Sequence, residues 1–174
     1  METRFENSFV RDENTAKEIY RYWFFRKPTM VALYVILAFY TLACIFGLSF
    51  DFEDAKDVIF PFFTAILIPV LMIISYRSQV KTMVNRDREM AKGSELVTRV
   101  SVDDNEFNVF SLDSHTSILV SDLKYAFLTE SYIAVITKAR LMVILKKDSF
   151  TIGDTESFLA FLREKNIKIK GQKK

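Results

Sequence analysis

Cysteine, histidine, glycine and proline are all scarce in this chain. Its 174 residues include one Cys, one His, four Gly and three Pro. A single cysteine excludes an internal disulfide framework, and one histidine with one cysteine excludes the usual zinc clusters. A net charge of +2 is too small for a basic face that neutralises phosphates, so we expect no nucleic-acid partner. Disulfide-stabilised, zinc-binding and nucleic-acid-binding proteins are therefore disfavoured.

Long uncharged stretches are present instead. Residues 29–50 form a run of 22 without a charge, and residues 58–76 form a second run of 19. A helix of the first length rises about 33 Å, against a hydrocarbon core of about 30 Å. Because backbone polar groups in lipid must pair within the segment, both runs are predicted to be transmembrane helices. The alternative, two core helices of a globular domain, is less favoured because such helices usually carry polar residues at every turn.

The charges that flank these runs predict the topology. The connection 51–57 has four acids and one lysine, while Lys and Arg cluster before the first run and after the second. Basic residues near span ends favour the cytoplasmic side, which predicts a two-span protein of the cell membrane with both termini cytoplasmic. The four acids also have the chemistry to gather a divalent cation, but without a Gly-containing binding loop a solvated turn is favoured and no metal site is predicted. These acids are Asp51, Glu53, Asp54 and Asp57.

The patterns divide the chain into four segments. The first is predicted to hold a short strand and then a juxtamembrane helix that opens at a capping-box motif formed by Thr15 and Glu18. The second is the membrane hairpin, and the third is a helix that continues its second span. The fourth is predicted to be a cytoplasmic domain. In order, the segments are 1–28, 29–76, 77–93 and 94–174.

Short β-prone stretches separated by turn residues fill the last segment. Asp154 or Thr155 is then predicted to cap a helix, 156–165, whose apolar face must cover the sheet, and the basic tail after it is predicted to fray. The expected fold class is an α+β membrane protein, with a two-helix transmembrane hairpin and a cytoplasmic pleckstrin-homology-like (PH-like) antiparallel β-barrel or sheet capped by a C-terminal α-helix. The strands are predicted at 95–102, 106–110, 116–120, 123–129, 132–137 and 141–146.

The order of these segments resembles the YcxB-like membrane proteins of bacteria. The resemblance is carried by SVDDNEFNVFS, HTSILVSDLKYAFLTESYIAVIT and LMVILKKDSF, with matching positions at Phe107, Ser117, 122–123 and 145–150. Val120 departs from the pattern, which has an aromatic residue at that step. The resemblance implies a PH-like cytoplasmic domain carried on a membrane hairpin, and it implies no established activity.

No group of residues in the sequence predicts catalysis or a cofactor. His115 lies in a segment rich in Ser and Asp, which invites a hydrolase interpretation. A catalytic triad needs three groups that converge from separate elements, whereas consecutive residues in a hairpin turn point apart. Because Ser, Asp and Thr are also the residues that turns use, turn chemistry is favoured. We expect no enzyme activity, no cofactor and no catalytic residue.

Basic and aromatic residues beside the two runs and in the last segment predict contacts with lipid headgroups. Aromatic rings sit at headgroup depth, and Lys and Arg meet anionic lipid. Structural alternatives stay open, because the same residues also serve to anchor helices, to enforce topology or to prevent strand-edge pairing. The candidate contacts are Arg21, Trp23, Arg26, Lys27, Arg77, Lys81, Lys138, Arg140, Lys146 and Lys147.

Two functional classes follow from these features. The first is a non-enzymatic, membrane-anchored binding or scaffold protein of bacteria whose PH-like domain contacts lipid headgroups or a protein partner. Its expected partners are the lipid bilayer and either another protein or a second copy of the chain. The alternative is an immunity or resistance protein that protects against a membrane-active toxin or bacteriocin. A transporter is disfavoured because neither run contains the carboxylate, His or basic group that carriers place at membrane depth.

Overall fold

The computed structural model describes residues 3–25, 28–47, 56–91, 95–112 and 114–171. Within these ranges the chain forms nine strands, four α-helices and one 3-10 helix at Val120–Asp122. The helices are α1 (Glu13–Phe25), α2 (Pro28–Gly47), α3 (Lys56–Ala91) and α4 (Thr155–Glu164). The strands are β1 (Phe5–Val10), β2 (Val97–Val102), β3 (Glu106–Ser111), β4 (Ser114–Leu119), β5 (Leu123–Leu128), β6 (Tyr132–Thr137), β7 (Met142–Lys146), β8 (Phe150–Ile152) and β9 (Lys168–Lys170).

The chain divides into two compact units. The β-rich unit consists of Met1–Ile19 and Met83–Lys174, and the helical unit consists of Tyr20–Thr82. The β-rich unit contains the strands, α4, the start of α1 and the end of α3. The helical unit contains α2 and the remaining parts of α1 and α3.

Two sheets build the β-rich unit. The five-stranded sheet has the order β4-β3-β2-β1-β8, and the four-stranded sheet has the order β7-β6-β5-β9. Along β1, Phe5, Asn7 and Phe9 are buried while the residues between them are more exposed, which is the alternation of a sheet with one face on the core. Strand β6 lies between β5 and β7 and is buried at all six positions. Its sequence, YIAVIT, is accordingly almost entirely apolar.

Helix α4 closes the core of the β-rich unit with aromatic side chains. Phe158 is fully buried, and its ring packs edge-on against the rings of Phe5 and Phe107, with centroids 5.4 and 6.1 Å apart. The helix begins where the Asp154 side chain accepts hydrogen bonds from the backbone N–H groups of the first turn. The predicted C-terminal helix is therefore confirmed, and of its two predicted caps, Asp154 and Thr155, the structure has Asp154.

A buried asparagine joins the two sheets. Asn7 lies in β1 of the five-stranded sheet, and Lys146 ends β7 of the four-stranded sheet. The Asn7 Nδ2 donates to the Lys146 carbonyl at 2.7 Å, and the Asn7 Oδ1 accepts from the Lys146 N–H at 3.0 Å. The side-chain amide thus supplies the hydrogen bonds that a neighbouring strand would otherwise make.

The helical unit holds a cluster of aromatic side chains. The Phe25 ring lies 5.6 Å from the Tyr76 ring and 6.3 Å from the Tyr34 ring, measured between centroids. The Tyr34 hydroxyl donates to the Phe24 carbonyl at 3.1 Å. These contacts tie α2 and α3 to the end of α1.

Large apolar side chains are exposed along α2 and α3. Ile36 is 65% exposed, Phe39 is 71% exposed and Phe63 is 61% exposed. Single exposed apolar residues are ordinary, but several on the same helices form the kind of surface that usually contacts a partner.

The structure overturns the predicted membrane hairpin. Among the described residues, no helix combines the length and the apolar character needed to cross a bilayer. A span needs about 20 consecutive apolar residues. Helix α3 is charged along its second half from Arg77 onward. The spans at 29–50 and 58–76 and the two-span location in the cell membrane are therefore wrong for the described part of the chain.

Without the membrane hairpin, the predicted fold class and topology are also wrong. The assignment of both termini to the cytoplasmic side loses its basis, because it was inferred from charges beside the spans. In place of one PH-like antiparallel barrel or sheet, the chain has an α+β fold with two sheets. The four-stranded sheet is mixed, because β9 pairs parallel with β5.

Most individual elements match the sequence pattern. The six strands predicted between 95 and 146 correspond to β2 through β7, and the helix predicted to run on past 76 is the second half of α3. Within the tail predicted to fray, Lys168–Lys170 form β9, because Tyr125 to Phe127 of β5 pair with them. Residues 172–174 of that tail lie outside the described residues. Strand β8 was not predicted, and it is formed because Glu6 and Asn7 of β1 pair with it.

Candidate binding cleft

A cleft of about 200 Å³ opens in the β-rich unit beside the end of β1, the start of α1 and the last turns of α3. Its wall mixes charged side chains with a small apolar patch. The apolar residues are Val10, Val84, Ala91 and Leu96. The charged residues are Arg11, Asp12, Glu13, Asp87, Arg88 and Glu95.

The most buried charge in the cleft belongs to Asp87. Its side chain is 9% exposed, and its Oδ2 lies 3.0 Å from the Nε of Arg11, whose side chain is 19% exposed. The other carboxylate oxygen, Oδ1, is also buried and has no hydrogen-bond partner in the described part of the chain. Buried polar atoms are nearly always hydrogen-bonded, so this oxygen needs an explanation.

The burial of Asp87 and its incomplete hydrogen bonding also change its pKa. Burial raises this pKa above the ordinary value of 3.8, although Arg11 and Arg86 act in the opposite direction. Removing a carboxylate from water disfavours its charged form, and one partner on one oxygen does not compensate for that loss here. The carboxylate is therefore able to accept one more donor.

A hydrogen-bond chain fixes the wall of the cleft at the start of α1. The Asp12 Oδ1 accepts from the backbone N–H and from the hydroxyl of Thr15, both at 2.8 Å, which is the geometry of a helix cap. The Thr15 hydroxyl also lies 2.9 Å from the hydroxyl of Tyr132, a buried residue of β6. Burial alone would raise the pKa of Asp12, but the hydrogen bonds from Thr15 and Asn14 outweigh it and lower that pKa.

This arrangement corrects the capping box predicted at Thr15 and Glu18. Helix α1 begins at Glu13, and Asp12 caps it. The Glu18 carboxylate instead accepts from the Ser131 N–H at 2.7 Å, in the turn between β5 and β6. The predicted cap is wrong because the Asp12 carboxylate, three residues before Thr15, accepts the hydrogen bond from the first turn of the helix.

The candidate lipid contacts of the β-rich unit lie at opposite ends of β7. Lys138 and Arg140 are exposed in the turn before this strand, whereas Lys146 ends it, Lys147 follows it, and both are half-buried. At about 3.4 Å per residue, a five-residue strand separates the pairs by roughly 15 Å. The Lys147 ammonium donates to the carbonyls of Thr129 and Glu130 at 2.5 and 2.8 Å.

The other candidate contacts are distributed over the helical unit. Arg21, Arg77 and Lys81 are exposed, and Trp23 is half-buried. Arg26 and Lys27 lie outside the described residues, as do the acids at 51–54. Lipid contact by any of these residues stays a prediction.

His115 lies in strand β4 and not in the turn where the sequence placed it. Its ring stacks on the ring of Phe110, with centroids 4.5 Å apart, and its Nε2 lies 3.1 Å from the Oδ1 of Asn108. Phe110 is the cross-strand partner of His115, whereas Asn108 is paired with Ser117 and reaches His115 diagonally. Among the described residues, no three His, Cys, Asp or Glu side chains form a group that could hold a metal ion.

The sequence held a signal for the cleft that the interpretation missed. Val80, Met83, Asp87 and Ala91 recur at helical spacing, and all four are buried along α3. An acidic residue on the apolar stripe of a helix is unusual, because charges are rarely buried without a partner. Its partner, Arg11, is distant in sequence, so the pairing could not be inferred from local spacing.

Comparison with known proteins gives no match to a family model and no match to a curated protein. The resemblance to the YcxB-like proteins therefore stays a prediction.

Proposed function

We propose that this chain is a non-enzymatic binding protein whose β-rich unit docks a protein partner by receiving one of the partner's side chains in the cleft. One observation carries the proposal. The Asp87 carboxylate is buried in the wall of the cleft, and its Oδ1 has no hydrogen-bond partner among the described residues. Thr98 Oγ1 is also buried without a hydrogen-bond partner among the described residues, but Thr98 does not line the cleft and Asp87 does. Rules of folding that a chain breaks are broken most often at functional sites.

The size of the cleft favours a side chain over a cofactor or metabolite. Pockets that hold small molecules usually measure about 300–1,000 Å³. This cleft measures about 200 Å³. It is also larger than one water needs, since a water occupies about 30 Å³ in the liquid. A single amino-acid side chain is the ligand that fits between these limits.

The cleft is preformed by secondary structure. The Arg11 N–H donates to the Leu96 carbonyl at 2.9 Å, which extends the pairing of β1 with β2 to the wall of the cleft. Asp12 is fixed as the cap of α1, and Asp87 lies on a continuous helix. Preformed walls lower the entropy that binding must overcome.

Two other predicted roles have less support. A lipid-binding rim needs a concentrated basic surface, and the four predicted lipid contacts of the β-rich unit lie in two separate pairs, with the Lys147 ammonium already bonded to backbone carbonyls. The immunity role was inferred from a membrane hairpin that the described residues do not contain.

Photo-crosslinking in the native host tests the proposal. The full chain would carry p-benzoylphenylalanine in place of Glu95, an exposed residue of the cleft wall. We expect an adduct of protein mass that is lost when Val84→Phe fills the cleft. A second chain with the photo-reactive residue in place of Phe110, on the exposed sheet face, should not form that adduct. An adduct that persists in folded Val84→Phe, or no adduct at all, would contradict the proposal.

A further inference from the structure

The geometry points to a cationic occupant: we infer that the side chain received by the cleft is a lysine or an arginine of the partner. This inference rests on the proposed function, and it adds the chemical class of the ligand. It is drawn from the charges that line the cleft and from the hydrogen-bonding capacity that Asp87 leaves unused.

Negative groups outnumber positive groups around the cleft. Four carboxylates and two guanidinium groups line it, so its formal charge is −2 when all are ionised. Arg11 is already paired with Asp87, and the Glu13 carboxylate is paired with the Lys17 ammonium at 2.8 Å. With the charge of Lys17 included, an excess of one negative charge remains, which attracts a cation and repels an anion.

The unpaired Asp87 Oδ1 requires a donor. Lysine and arginine side chains carry only donors, whereas Asp and Glu side chains carry only acceptors when ionised. A charge-assisted bond to Oδ1, which is buried in the unbound chain and must be uncovered by a rotation of the carboxylate, would satisfy this oxygen and add a positive neighbour to those that Arg11 and Arg86 supply. An acidic side chain would leave Oδ1 unpaired and place like charges together.

The apolar part of the wall suits the same ligands. Lysine and arginine bury an aliphatic stem beside apolar surface while their charged ends reach polar groups. Val84 and Leu96 line the cleft together with the charged residues. A metal ion has no such stem, and the described residues contain no group of carboxylates arranged to hold one.

Methyl NMR on the full chain tests the inference. The methyl groups of Val10, Val84 and Leu96 line the cleft, so ¹³C labelling of Val and Leu reports binding directly. The probes are the N-acetyl methylamides of lysine, arginine, norleucine and glutamate. Norleucine has the length of lysine without its charge. We expect saturable shifts of these methyl groups with lysine or arginine, and affinity at least about tenfold weaker for norleucine and glutamate.

Two variants separate the role of Asp87 from general charge. Asp87→Asn should weaken lysine or arginine binding by about tenfold or more, while Asp122→Asn, at an exposed site on the 3-10 helix, should change it less than about twofold. A melting curve establishes that each variant is folded. Equal affinity for norleucine, preference for glutamate or full binding by folded Asp87→Asn would overturn the cationic inference alone. Absence of shifts with every probe would overturn the proposed function as well.

Discussion

At the scale of single residues, the buried side chains of Asn7 and Asp87 differ in how they are satisfied. Both amide atoms of Asn7 are bonded to the Lys146 backbone. Asp87 has an ion pair on one oxygen and, within the described chain, no partner on the other. A fully bonded buried group contributes to stability, whereas a partly bonded one costs free energy. We therefore assign Asn7 to the fold and Asp87 to ligand binding.

Replacing Asn7 tests the first assignment. Asn7→Leu keeps the approximate volume but leaves the Lys146 N–H without its acceptor, whereas the Lys146 carbonyl keeps the bond from the Ser149 N–H at 3.2 Å. An unsatisfied buried group costs about 1–3 kcal/mol, so we expect the free energy of unfolding to fall by about that amount. Urea denaturation measures this change. As a matched control, Asn108→Ala on the exposed sheet face should shift it by less than about 0.5 kcal/mol.

Asp87 predicts a specific pH dependence of stability. Because its pKa is raised in the folded chain, the folded state holds the proton more tightly than the unfolded state. The free energy of unfolding contributed by this group therefore falls as pH rises from the ordinary value of 3.8 through the higher folded value. Melting curves from pH 3.5 upward should show the wild-type chain losing stability relative to Asp87→Asn across this window. A relative gain would contradict the assignment.

At the scale of elements, helix α4 depends on its cap. Asp154 accepts from the N–H groups of Glu156 and Ser157 at 2.8 and 2.9 Å. Bonds from Ser157 first, and from Glu156, lower the pKa of Asp154, so its contribution is present above pH 3.8 and is lost as pH falls through the lower folded value.

Substitution of Asp154 by Ala should lower the melting temperature at pH 7 by a few degrees, because two N–H groups of the first turn lose their acceptor. Asp154→Asn is the matched control, since asparagine is also a good cap and should preserve most of the stability. Thermal unfolding followed by circular dichroism measures both. An equal loss in the two variants would show that the charge, and not the cap, is what matters.

Much of the β-rich unit could be predicted because its signals are local. Short β-prone stretches separated by turn residues located β2 through β7, and Asp154 or Thr155 marked the start of α4. Strand β9 could not be located in this way, since its three residues, Lys168–Lys170, form a strand only because β5 is beside them. The ion pair of Arg11 and Asp87 could not be predicted either, because it joins residues far apart in the sequence.

The membrane prediction failed at the level of a whole segment. The prediction treats 29–50 and 58–76 as two independent helices, because each run is long and uncharged. In the structure, the second run belongs to α3, whose 36 residues continue through a charged half to the wall of the cleft. Within the described residues no helix qualifies as a span.

At the scale of the whole molecule, the exposed apolar surface of α2 predicts self-association. Ile36 and Phe39 are three residues apart on one helix face, and both are largely exposed. We expect the 20.3 kDa chain to sediment in aqueous buffer as a species larger than a monomer. Changing both residues to Ser should shift it toward the monomer, whereas Ile152→Ser in β8 should not. A wild-type chain that stays monomeric at all concentrations would contradict this prediction.

We infer that a cation bound in the cleft supplies the missing hydrogen-bond donor to the buried carboxylate of Asp87. The most direct measurement is an NMR titration of the ¹³Cγ of Asp87 against pH, with and without saturating N-acetyl-lysine methylamide. The pKa should lie above 3.8 in the free chain, because the side chain is buried, and should fall when the ammonium binds, because a positive neighbour favours the carboxylate. A pKa at or below 3.8 in the free chain, or one that saturating ligand leaves unchanged, would contradict the account.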